Sequence, residues 1–147
     1  MTPLQRKGKS QNNPLRKSRS LRPKKESTLK KNLDDVFSKF IRQRDADKNG
    51  MVRCCSCGTM LHWKDSDASH FVSRKYLYTR YDERNVHASC RKCNRFLEGN
   101  KEGYSLFLIN KYGATIFAEL NEKKWLPYPN FPYISQIDYY KRQLETP

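Results

Sequence analysis

Apolar positions fall into distinct runs along the chain. Leu29, Leu33, Val36, Phe37, Phe40 and Ile41 recur at the 3.6-residue spacing of an amphipathic helix. Ser27 or Thr28 offers a capping side chain at its start, and the pattern predicts about four turns ending before the hexamer DADKNG. Asp45, Asp47, Asn49 and Gly50 stand there at calcium-loop offsets. The twelfth position is Ser56, where such a loop needs a bidentate glutamate, so the hexamer reads as a turn. Further on, Tyr104, Phe107, Leu108 and Ile109 mark a helical face that Gly113 breaks, and Ile116, Phe117 and Leu120 begin another. LPYPNFPY reads as an extended Pro-aromatic connection wrapping the core. Ile137, Tyr140 and Leu144 predict a last short helix. Residues 1–26 hold three prolines and almost nothing to bury, the composition of a disordered arm.

Charge changes this picture. The 147 residues carry 30 Lys+Arg against 15 Asp+Glu, a formal charge of +15. Eleven of the basic side chains lie in residues 1–31, beside the single acid Glu26. Such a surface favours a polyanionic partner, and nucleic acid fits better than a membrane. No apolar run approaches the roughly 20 residues of a membrane span, and no apolar stretch follows the basic start as in a secretory signal. The expected location is the cytoplasm, where thiols stay reduced and paired cysteines hold metal more often than they form disulfides.

The cysteines carry the strongest motif. Cys54, Cys57, Cys90 and Cys93 form two C-x-x-C pairs 32 residues apart. Each C-x-x-C turn places two thiolates on one side of a tight loop, and two loops complete a tetrahedral zinc site. Gly58 suits the turn after the first pair, and Cys55 is left over. The bland reading is a zinc that only staples a small domain.

The insert between the pairs holds the candidate chemistry. Asp65, Asp67 and His70 lie close together; Arg74, Lys75, Arg80 and Arg84 follow, interleaved with Tyr76, Tyr78 and Tyr81. A histidine near carboxylates can act as a general base for water while carboxylate and amide oxygens hold a divalent ion. Basic and aromatic side chains together suit phosphates and exposed bases. His62, after the first knuckle, could replace a cysteine as zinc ligand, though four thiolates already suffice; His87, two residues past Asn85, is expected to pack against the hairpin or meet DNA, and neither is expected to be catalytic.

In order, the motifs CSCG, DASHFVSR and TRYDERNVHASCRKCNRFLEGN resemble the phage NinG/Rap recombination endonuclease family, a zinc-bearing branch of the HNH (ββα-metal) nucleases. The resemblance covers roughly Leu29 to Gly113. It implies an α+β fold: a small zinc-stapled HNH (ββα-metal) core flanked by α-helices, with a disordered basic N-terminal arm. The implied units are an arm over 1–26, a helix plus nuclease core over 27–113 and a helical, aromatic extension over 114–147. His70 becomes the general base in the second strand of a β-hairpin, Asn85 the brace that keeps it oriented, and Asn94 a metal-facing residue opening a helix. That order is similar to the junction-resolving endonuclease VII of phage. Many HNH nucleases place a metal-holding aspartate directly before the histidine, but here Ser69 stands there; Asp67 is the nearest substitute, with Asp65 behind it.

The resemblance thus implies a Mg²⁺- or Mn²⁺-dependent endonuclease with structural Zn²⁺, cutting branched recombination intermediates such as Holliday junctions, D-loops and forks. Asp67 and Asn94 would hold the ion; Arg74, Lys75, Arg80, Arg84, Arg91 and Lys92 would hold DNA. A homodimer and phage recombination proteins are the partners it suggests, and the bacterial host cytoplasm the place. Two other readings stay open: a non-catalytic zinc-knuckle DNA-binding accessory protein, which Ser69 favours, and a basic RNA-binding module of ribosomal type.

Overall fold

The structure, a computed structural model, describes residues 25–146. The expected N-terminal arm lies almost wholly outside these residues. Helix α1 (Glu26–Arg44) buries Leu33, Phe37 and Ile41, the inner edge of the predicted stripe. It starts just before Ser27 and Thr28: Lys25 precedes the first turn and no side chain caps it. DADKNG forms the expected turn. The Asp47 carboxylate accepts from the Asn49 and Met51 N–H groups at 2.8 and 2.9 Å, and Gly50 takes the left-handed φ of 77° that closes it.

Two small antiparallel sheets follow. Strands β1 (Met51–Arg53) and β2 (Met60–His62) make the first and carry the first cysteine pair on their connection. Strands β3 (Asp67–His70) and β4 (Val86–Ser89) make the second, in the register Asp67–Ser89 to His70–Val86. His70 therefore ends the first strand of its own pair instead of lying in the second strand of a hairpin. The loop of residues 71–85 intervenes, with the single-turn helix α2 (Leu77–Arg80) inside it. Helices α3 (Lys101–Tyr112), α4 (Ile116–Lys124) and α5 (Tyr133–Glu145) complete the fold; the 126–132 segment that joins the last two turns at Pro129 and Asn130 instead of staying extended throughout.

Two separate apolar clusters hold the elements together. Leu33, Phe37 and Ile41 of α1 pack with Leu77, Tyr81, Val86 and with Tyr133, Ile137 and Tyr140 of α5. The expected short last helix is thirteen residues long because Tyr133, Ile137 and Tyr140 bury one face of it on α1. Cys55, Tyr104, Leu108, Ile116 and Leu120 form the second cluster, where α3 and α4 meet the first knuckle. Gly103 lets α3 approach: a Cβ there would lie 1.9 Å from the Ser56 carbonyl oxygen. No helix among the described residues is long and apolar enough to cross a membrane.

Candidate functional site

The four expected ligands converge. The sulfurs of Cys54, Cys57, Cys90 and Cys93 all lie within 4.8 Å of one another. Around them Asn100 Nδ2 donates to Cys93 Sγ at 3.4 Å and the Cys93 N–H to Cys90 Sγ at 3.4 Å; Thr59 Oγ1 lies 3.2 Å from Cys57 Sγ. N–H donors aimed at sulfur are what metal-bound thiolates accept. Burial, seconded by neighbouring thiols, pushes Cys93 up to about 12; burial opposes ionisation of Cys54 too, yet hydrogen bonds from Ser89 and nearby backbone bring it down to about 6. Four thiolates this close repel one another unless a cation lies between them, so the set fits a structural metal such as zinc. Cys55 stays outside it, in the second core, where burial holds its thiol near 12.

Strand β3 presents two different faces. Successive side chains alternate, so Asp67 and Ser69 share one face while Ala68 and His70 share the other. On the first face Asn94 Nδ2 donates to Asp67 Oδ2 at 3.0 Å. Arg95 grips both oxygens of the same carboxylate, Nε to Oδ2 at 2.7 Å and a terminal nitrogen to Oδ1 at 2.8 Å. Burial opposes ionisation of Asp67, but the Arg95 and Asn94 hydrogen bonds and the charges of Arg95 and Arg91 prevail and lower its pKa. Asn94 does not open an α-helix. It lies in a π-type turn over Lys92–Phe96, cut off from α3 by left-handed Glu98, Gly99 and Asn100 at φ 50, 87 and 44°. That reversal lets the Gly99 N–H reach the Cys93 carbonyl at 2.9 Å.

On the opposite face His70 Nε2 lies 2.9 Å from the Arg80 carbonyl oxygen. A carbonyl only accepts, so Nε2 carries the ring proton and Nδ1 keeps a free lone pair. Nδ1 has no partner among the described residues, and it is not a buried orphan; Ser69 Oγ is the side-chain atom that is. Burial pushes the imidazole down to about 4, with the Arg74 and Arg80 charges adding to it, so His70 is neutral near pH 7. Asn85, fully buried, ties both ends of the intervening loop: its Oδ1 accepts from the Val72 N–H at 2.7 Å, and its Nδ2 donates to the Val72 and Thr79 carbonyls at 3.1 and 2.8 Å. The brace thus acts on the residue next to Arg80, whose carbonyl holds His70.

The structure brings Asp67 and Asn94 together, and Asn85 to the loop that holds His70. It sets His70 on the face away from the Asp67–Asn94 pair. Asp65 sits exposed in the 3₁₀ turn before β3. His62 caps that turn, its Nδ1 accepting the Lys64 N–H at 3.2 Å. His87 is buried between Tyr104 and Tyr112, which engage both ring nitrogens at 3.1 and 2.9 Å.

A model of the bacteriophage lambda NinG protein family matches residues 2–144. The chain belongs to the NinG family. Protein ninG of Escherichia phage 933W is 34% identical over 116 residues, covering 74% of this chain and 54% of that protein. The namesakes from Salmonella phage P22 and Escherichia phage lambda are 35% identical over 107 residues and 33% over 116, covering 71% and 74% of this chain and 49% and 53% of theirs. The chain spans about half the length of these curated relatives. No solved structure matches it.

Basic residues of this NinG-family chain divide by what they already touch. Arg80 is turned inward: its Nε donates to Asp34 Oδ1 at 2.8 Å, its second nitrogen to Asp34 Oδ2, and Tyr81 joins the same carboxylate. Arg84 pairs with Glu119 and Asp82. Lys75, Arg91 and Lys92 are exposed, and Arg74 is half-exposed beside Asp34 at 3.3 Å. Arg91 borders an open groove of about 400 Å³ that also takes Arg42, Lys64 and Arg95, with Asp67 and Asn94 in its wall. Arg42, Lys64 and Arg95 were not legible as site residues in the sequence. The one local signal was position: Arg95 follows Asn94, and Arg42 stands one helical turn past Ser38 on the polar face of α1.

Proposed function

We propose that this NinG-family chain is a zinc-stapled, metal-dependent endonuclease acting on branched DNA in phage recombination, in the host cytoplasm. The observation that carries the reading is His70: neutral, half-buried, its Nε2 fixed by a carbonyl and its Nδ1 free to accept a proton from water. Asn85 maintains that tautomer by holding the loop that supplies the carbonyl. Asp67 and Asn94 are the donors that would hold Mg²⁺ or Mn²⁺, which when bound supplies charge neutralisation at the scissile phosphate. Their fit depends on Arg95, an exposed side chain that must release the carboxylate first and is then free to meet a phosphate. Arg74, Lys75, Arg91 and Lys92 bind flanking phosphates, fixing register without reading sequence. Selectivity for branched substrates follows from DNA shape, since a junction exposes backbone that a duplex hides.

A second reading has its own support. Arg95 already neutralises Asp67, Ser69 replaces the carboxylate next to His70, and Asp67 and His70 face opposite ways. A protein so built would grip branched DNA without cutting it. The two readings separate on labelled four-way junction, fork and duplex incubated with the zinc-loaded protein, with and without Mg²⁺ or Mn²⁺. Ion-dependent nicking of the branched substrates is expected; tight junction binding with no nick at any ion concentration supports the second reading.

A further inference from the structure

Trp125, just past α4, plays no part in the site above, yet it is 66% exposed. Its indole meets the Tyr76 ring edge-on, 5.4 Å between centroids at 71°. Lys124 Nζ lies 4.6 Å from the Trp125 centroid and 4.7 Å from that of Tyr76, and Lys75 Nζ is 4.8 Å from Tyr76. Tyr76 also lines a cleft of about 410 Å³ together with Phe71, Val72, Phe117, Lys75 and Lys124, with no acidic side chain in its lining.

We propose that Trp125 and Tyr76, flanked by Lys75 and Lys124, form a stacking platform for unpaired bases of a DNA strand. What sets this exposed indole apart is its company: ammonium groups beside a pair of aromatic rings match the two halves of a nucleotide, base on ring and phosphate on amine. An acidic peptide would satisfy the lysines but makes no use of the exposed indole. Duplex DNA keeps its bases stacked internally, so only single-stranded or frayed nucleotides can use the platform. Phe71 in the lining of the cleft directly follows His70 in the chain; where it links the platform to cleavage, the inference rests on the endonuclease reading.

The test is binding of labelled oligothymidylate and of a blunt duplex to the zinc-loaded full chain with no added divalent ion. Trp125→Ala is expected to weaken oligothymidylate binding by about 5- to 150-fold, the range of one stacked base, with little effect on duplex. Trp125→Phe keeps most of the affinity, because a stacking face remains. In a Trp63→Phe background, oligothymidylate quenches the remaining tryptophan emission. Undiminished binding by Trp125→Ala, or no quench of Trp125, overturns the platform. Neither readout needs cleavage: a protein that stacks oligothymidylate but never nicks retains the platform and loses the nuclease, and one that nicks while indifferent to Trp125 does the reverse.

Discussion

His70, paired with Val86, and His87, paired with Ser69, occupy adjacent rungs of one ladder and have opposite fates. His87 has both nitrogens engaged by tyrosine hydroxyls, and burial drives its pKa to about 2; it is a core residue. His70 has one nitrogen engaged and one free. Its offset from the cysteines was legible in the sequence. The engaged nitrogen was not, because the Arg80 carbonyl reaches it only through a loop that Asn85 folds from within. Since burial lowers the His70 pKa to about 4, its contribution to folding is whole above the ordinary value of about 6.5 and declines as pH falls from there toward 4. Nitrogen-resolved NMR is expected to show His70 neutral, with its proton on Nε2, at about pH 5.5, where an ordinary histidine is mostly charged; a ring titrating near 6.5 would contradict it. Ser69 gives the sharper residue-scale test. Its hydroxyl is buried without a partner. Ser69→Ala should stabilise the zinc-loaded protein by about 1 kcal/mol in urea denaturation and leave nicking intact. Lost nicking would mean that the hydroxyl, not Asp67, serves the divalent ion.

At the scale of elements, periodicity located the long helices because each buries one continuous stripe. It missed the π-type turn at Asn94. The left-handed run Glu98, Gly99 and Asn100 separates that turn from α3, and a left-handed glutamate between Leu97 and Gly99 has no sequence signature. Nor could spacing show that α3 touches the first knuckle through Gly103. Adding a Cβ there drives α3 away from the Ser56 carbonyl, since backbone cannot move aside as a side-chain end can. Gly103→Ala is therefore expected to cost about 1–3 kcal/mol in urea denaturation and to weaken zinc retention against a chelator. Wild-type values for both would show that α3 and the knuckle do not meet.

For the molecule as a whole, the four-cysteine cluster and the two apolar clusters divide the labour. The α1–α5 cluster needs no cysteine, whereas the cluster around Cys55, Tyr104 and Leu108 is built on the knuckle. Stripping zinc should accelerate hydrogen exchange in α3 and the knuckle strands well before α1 and α5; equal protection throughout would mean that the cysteines carry no structural load. The NinG family and the four-cysteine cluster were legible from motif order, since both live in short contiguous stretches. The Arg95 clamp on Asp67 and the separate facing of His70 were not, because they depend on strand alternation and on the turn after Cys93. The most direct measurement is single-turnover nicking of a four-way junction by wild type and by His70→Ala, matched for zinc content and junction binding. A loss of about 100-fold or more in rate, with binding unchanged, is the result expected of a general base. Equal nicking by the variant, or none by the wild type at any Mg²⁺ or Mn²⁺ concentration, would contradict it.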